Sequence, residues 1–392
     1  MTFAFFAVAS HVLSEVDYKG ISLLWSVVFI VTSVIYRPIE QLLSRSIAER
    51  RALGHAEHSL RVPLLIQAAF ALVFAVVALA LREPLTDDVF DGSGTLFWVL
   101  FGSVLAYAAS YFARGWLAGN QQFALYGLLV LFESLSRFLF PLAVAIGILE
   151  GQSAVALGIL AAPFVSLLVV PWALRRQTRG AADGPPPQSG SLREGGGFAV
   201  AVFAVMLAEQ AIINAPVLLA DATATDAALA GFVFNVLLIA RAPLQLFQAI
   251  QTSLLPHLAS LNATSDRAEF DRAIRQTVLA ISAFAGAVAL GLLVLGPFAM
   301  DVLFGGEFDY GRVGLALVAL GMGFHLASGT LNQAALARGR QSWAAAAWIT
   351  AAVVLIAWIA VPVVDDVLLR VEIGYLGATA LLSVLLYSVY RR

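Results

Sequence analysis

The 392-residue chain has no cysteine, and a single lysine, Lys19, stands against 22 arginines. Without cysteine there can be no disulfide, no thiolate nucleophile and no Cys-based zinc site. The preference for arginine fits a GC-rich bacterial genome. Charge of either sign is scarce, at 12% of residues, where a soluble domain carries about 25%. The formal net charge of −2 gives no reason to expect a nucleic-acid partner. Metal-ligand spacing is missing as well: the histidines are His11, His55, His58, His257 and His325, with no HxxxH or HExxH among them. There is no glycine-rich phosphate loop, so the chain carries no ATPase of its own. No motif asks for a cofactor or a metal.

What takes the place of charge is apolar surface: 60% of residues are hydrophobic and mean hydropathy is +0.88. About 20 apolar residues make one helical membrane span. Such runs lie at 21–36, 62–81, 95–113, 123–149, 154–174, 198–219, 227–256, 276–301, 313–336, 343–363 and 371–390. A shorter run at 3–14 lacks the basic region and cleavage site of a signal peptide. It is expected to be a first helix that is short, or whose start lies further upstream. The expectation is an all-α polytopic membrane protein of about twelve transmembrane helices.

Basic residues orient it. The loops 37–61, 114–122, 175–197, 257–275, 337–342 and 391–392 hold 17 Lys and Arg, whereas the alternate set holds only Lys19, Arg82, Arg312 and Arg370. Cytoplasmic loops carry the basic excess, so both termini are expected in the cytoplasm of a bacterial inner membrane. A wrong helix count would have scrambled this alternation. The Asn262-Ala263-Thr264 acceptor pattern then falls on a cytoplasmic loop and carries no meaning.

The longest polar break, RRQTRGAADGPPPQSGSLREGGG at 175–197, divides the chain. Its Pro and Gly read as a semi-flexible linker, with an N-terminal lobe at 1–174 and a C-terminal lobe at 198–392. Six helices on each side would make the lobes parallel repeats about an axis along the membrane normal. Faint echoes agree: YRPIEQLLS resembles ARAPLQLFQ, aligning Arg37 with Arg241 and Gln41 with Gln245, and LAGNQQFA resembles LARGRQSWA.

Charges inside the spans mark the candidate site. Glu133 and Arg137 lie four apart in LFESLSRFLF, a spacing that puts both on one helical face. Glu209, Gln210 and Asn214 lie in 198–219, and Asn235 and Arg241 in 227–256. At about 1.5 Å per residue, Glu133, Arg137, Glu209 and Arg241 fall near mid-membrane. A charge there costs roughly 2.5–3.5 kcal/mol on insertion scales. Two readings stand side by side. Glu133 and Arg137 can be a structural clip that neutralises itself. Alternatively they face a wet cavity, where Arg137 and Arg241, with Asn214 and Asn235, hold an anionic headgroup and Glu133 or Glu209 carries a proton. A guanidinium suits phosphate because it stays charged and presents a bidentate fork.

Other polar residues have plainer readings. Pro163, Pro216, Pro243 and Pro297 read first as ordinary kinks, His325 and Asn332 as packed core, and Arg37 and Arg45 as headgroup anchors.

Three stretches resemble a known family. LSEVDYKGISLLWSVVFI is similar to an acidic-Tyr-x-Gly turn entering a second helix; the basic RPIEQLLSRSIAERRALG follows, and GPFAMDVLFGGEFDYGRVGLALVALGMGF joins two late helices through a Gly-rich turn. Together they resemble the multidrug/oligosaccharidyl-lipid/polysaccharide flippase superfamily, in its bacterial polysaccharide-exporter branch, over essentially the whole chain. The resemblance implies a MATE-like, V-shaped molecule of two six-helix lobes around a cationic cavity. Its cargo would be a polyprenyl-pyrophosphate-linked oligosaccharide, moved by alternating access, with the protein working as a monomer beside a glycan polymerase or glycosyltransferases. An ion- or proton-coupled drug or metabolite antiporter of the multidrug branch is the alternative. A major-facilitator transporter would also have six plus six helices, but its G-x-x-x-D-R-x-G-R-type loop is absent from 37–61. A membrane enzyme of envelope assembly is least favoured, because the longest outer loop is only 82–94. A non-transporting scaffold would keep the fold and use the charges as a clip.

Overall fold

The computed structural model describes residues 2–54, 60–177, 192–223, 253–264, 267–304 and 311–391, together with Val233, Val236, Leu237, Pro243, Leu244 and Phe247. The described residues are helical apart from turns and short loops, with no strand among them. In chain order the helices are α1 (Thr2–Val12), α2 (Glu15–Ala52), α3 (Arg61–Ala80), α4 (Gly94–Gly119), α5 (Phe123–Ala145), α6 (Gly151–Ser166), α7 (Leu192–Thr223), α8 (Arg267–Phe304), α9 (Arg312–Ala337), α10 (Gln341–Ala360) and α11 (Val367–Arg391). Residues 253–263 are also helical. A 3₁₀ turn at Leu167–Val169 carries α6 on into Val170–Gln177.

Ten of these helical stretches are long and apolar enough to cross a membrane. Most of the run expected at 227–256 lies outside the described residues, and α1, at eleven residues, is shorter than a span. The chain is a multi-pass membrane protein. Its exposed apolar side chains belong to that solvent: Leu72, Val73 and Val76 on α3 and Leu290, Val294 and Phe298 on α8 are more than half exposed.

Two stretches expected as loops are helix instead. α2 runs past residue 36 to Ala52, through Pro38, and α8 begins at Arg267 rather than near 276. Both extensions are rich in Glu, Gln, Arg, Ala and Leu, which lose little rotamer freedom in a helix. Arg50 and Arg51 in the last turn of α2 also oppose the helix dipole. Conversely, the run expected to reach Leu149 stops at Ala145, because Gly147 takes φ +76° and closes the helix with a bond from its N–H to Val144 O.

The chain folds as two compact units, residues 1–199 and 200–392, and the boundary falls within α7. Of the expected linker, 178–191 lies outside the described residues, while its two ends are helical. In the N-terminal unit α2 packs on α4, and α6 on both α4 and α5. Ile21, Leu24, Val28, Tyr36, Phe97, Leu100, Val104, Val155 and Ile159 form its main apolar core. The α2–α4 approach depends on Gly115 and Gly119, a G-x-x-x-G pair that lets helix backbones come close. A Cβ on Gly115 would stand 2.8 Å from Glu40 O, and one on Gly119 2.7 Å from Ile47 Cβ. In the C-terminal unit α9 is central, packed on α8 and α11. It is 78% buried over its spanning window against 17% for α8, so α9 is an inner helix of the unit and α8 an outer one.

Candidate functional site

In α4, Tyr107, Ser110, Tyr111 and Arg114 recur at i, i+3, i+4 and i+7, a single helical stripe. The Gly115 contact presses that stripe toward Tyr36 and Glu40 on α2. In α5, Tyr126, Glu133 and Arg137 also share a face. The meeting of these faces makes a buried polar cluster within the N-terminal unit.

Glu133 is its centre, 5% exposed. One carboxylate oxygen forms an ion pair with Arg114 Nη2 and accepts from Ser110 Oγ at 3.3 Å. The other accepts from Tyr107 OH at 3.2 Å and lies 3.9 Å from Arg137 Nη1. Arg137 donates to Tyr107 OH at 3.3 Å, and its guanidinium lies 4.0 Å from the Trp25 ring centroid. Ser166, on α6, places its hydroxyl 3.2 Å from Ser110 Oγ. A second buried carboxylate, Glu40, accepts from Tyr126 OH at 2.9 Å. Arg114 acts electrostatically on both acids. Its guanidinium stacks 4.5 Å from the Tyr111 ring, and its Nε has no partner among the described residues.

The expected i, i+4 pair is therefore present, but as the looser contact. The tighter partner of Glu133 is Arg114, which the loop-by-loop count of basic residues placed at a cytoplasmic helix end. Glu40 likewise lies in 37–61, a stretch whose polarity predicts a loop. The tyrosine–serine–arginine stripe of α4 was the available sign of both. Arg45, expected to anchor headgroups, pairs with Glu49 one turn on, at 2.7 Å.

In the C-terminal unit Glu209, on α7, lies 3.9 Å from His325 Nε2 on α9. His325 is fully buried, with Nδ1 3.3 Å from Tyr375 OH and its ring edge-on to Trp348. Trp348 Nε1 donates to Asn332 Oδ1 at 3.2 Å, so His325 and Asn332 are parts of a packed polar core. Asn214 donates back to Gln210 O at 2.9 Å. Asn235 and Arg241 lie outside the described residues. No group of three or more His, Asp or Glu among the described residues could hold a metal ion.

Chemically, the N-terminal cluster holds one carboxylate between two guanidiniums. Protonation of Glu133 would remove the charge that holds Arg114 and Arg137, and its hydroxyl ligands could then donate elsewhere. Such a cluster can exchange a proton for a side-chain rearrangement inside an apolar bundle.

No protein-family model matches the sequence, and no curated protein does. Solved structures do match. The chain is similar to a MATE in its bent conformation, with a TM-score of 0.78 and 12% identity over 99% of this chain and 90% of that one. It is similar to the MATE transporter ClbM in complex with Rb+ (TM-score 0.76, 15% identity, 100% and 90% covered). A Vibrio cholerae MATE transporter, VcmN in the bent form, aligns with a TM-score of 0.72 and 16% identity over 100% and 92%. The chain has the fold of the MATE transporters.

Proposed function

We propose that the chain is an ion- or proton-coupled transporter that exports an amphipathic small molecule by alternating access. The observation that carries this reading is a buried carboxylate, Glu133, shared between two guanidiniums and two hydroxyls within a MATE fold. A buried ion pair is a poor choice for stability alone, since well-packed apolar residues serve as well or better. In membrane helices ionisable groups more often mark ion and substrate paths. Glu133, and Glu209 beside His325, are the residues assigned to coupling. ClbM in complex with Rb+ shows that a protein of this fold takes a monovalent cation. The lobes would be 1–174 and 198–392, in a bacterial cytoplasmic membrane with both termini inside, as the basic loops require.

A second reading keeps the cycle and changes the cargo to a lipid-linked oligosaccharide, with Arg137 on the pyrophosphate. The acidic-Tyr-x-Gly pattern Asp17-Tyr18-Lys19-Gly20, which is helical in the first turns of α2 rather than a turn before it, favours it by resemblance. The MATE likeness favours the small molecule.

Proteoliposomes under an imposed proton gradient separate them. Efflux of a lipophilic cationic dye that needs the gradient, and that loses this need in Glu133→Gln, supports the first reading. Leaflet exchange of a polyprenyl-pyrophosphate oligosaccharide without dye movement supports the second. A folded Glu133→Gln protein that moves either cargo with unaltered gradient dependence removes Glu133 from the mechanism.

A further inference from the structure

The α9–α11 seam of the C-terminal unit contains an acid with no partner among the described residues. Glu372, on the second turn of α11, is 4% exposed. Among the described residues no hydrogen-bond donor or cation reaches its carboxylate. The charged groups around it do not help. Arg370, two residues earlier, turns away to donate to Val364 O at 2.7 Å and to Ile359 O at 3.2 Å. Asp366, which caps Leu369 N at 3.1 Å, adds charge of the same sign. On α9, Arg312 is exposed and the next titratable residue is His325; α10 has none, and the side chain of Asp301, on α8, is not described.

The carboxylate rests on Gly314, in the first turn of α9. A methyl group there would overlap both carboxylate oxygens, so glycine makes the room that the acid fills. The start of α9 offers Glu372 the positive end of a helix dipole. That attraction is smaller than the cost of stripping water from a carboxylate.

We propose that Glu372 is a proton-binding residue that closes the α9–α11 seam. With its proton, the acid packs on Gly314 and the seam is shut. Losing the proton to solvent at the loop end leaves a carboxylate that must be hydrated, and the seam parts there to admit water. This proton site belongs to a different helix pair from Glu133 and from Glu209. It does not depend on what the protein carries.

The cysteine-free chain permits a direct test. Spin labels on Val313→Cys and Leu369→Cys, both at exposed positions, bracket the seam in the full-length protein in nanodiscs. Pulsed EPR from acid to alkaline pH should show one short distance giving way to a longer one along a single-proton titration. Glu372→Gln should hold the short distance throughout, and Glu372→Asp should still respond, with a shifted midpoint or a changed amplitude. A wild-type distance that ignores pH overturns the proposal, and so does an unchanged response in Glu372→Gln. Should the Gln variant fail to fold, the wild-type and Asp titrations still decide, since an Asp variant that titrates identically in midpoint and amplitude would place the proton elsewhere.

Discussion

Replacing Arg114 by Met should be among the most damaging single changes in the N-terminal unit. The side chains of Arg114 and Glu133 are 11% and 7% exposed, so solvent does little to replace what is lost. Removing one partner of a buried pair costs about 3–5 kcal/mol, because the other charge is left uncompensated. Here Arg137 still lies 3.9 Å away and two hydroxyls still donate to Glu133. The expected loss is therefore at the low end, about 3 kcal/mol. Glu133→Gln keeps an acceptor while removing the charge, so losing one charged hydrogen bond should cost about 1.5–3 kcal/mol. The double variant Arg114→Met/Glu133→Gln should recover about 2 kcal/mol relative to the sum of the singles, within the range seen for contacting residues. Reversible unfolding in mixed detergent micelles, followed by tryptophan fluorescence, measures all three. If Arg114→Met costs less than about 1 kcal/mol, or if the singles add to within about 0.5 kcal/mol, the pair is not the coupled unit described here.

Further outcomes follow from the surroundings of three glycines. Gly115→Ala should destabilise by about 1–3 kcal/mol, since the atoms in its way are α2 backbone. Gly127→Ala, which meets nothing within 4 Å, should be neutral or gain up to about 1 kcal/mol; thermal unfolding of the two variants distinguishes steric from propensity effects. Gly314→Ala should lower the folded yield on size-exclusion chromatography, and adding Glu372→Ala should restore it, because the obstructing atoms are then gone.

Much of the fold is legible in the apolar runs, because the bilayer imposes a minimum length on each. Helix ends are less so. The stretch from Arg37 to Ala52 is polar enough to read as a loop, yet its residues favour helix and α2 continues through them. The site is half legible. Glu133 and Arg137 are conspicuous because they interrupt an apolar run on one helix. Arg114 and Glu40 are inconspicuous because each lies where an apolar run gives way to polar sequence. Glu372 is hidden for the same reason, five residues into α11 and close to the acidic loop before it.

The amino-acid sequence by itself determined the solvent of this protein, its helical class and the approximate position of each described span. These follow from local hydropathy, which a bilayer reads segment by segment. Only the tertiary structure decided that Glu133 meets Arg114, that Glu209 approaches His325 and that Glu372 rests on Gly314. Each of those contacts joins different helices, and the rotation and spacing of packed helices depend on where small residues such as Gly115 and Gly314 let them approach.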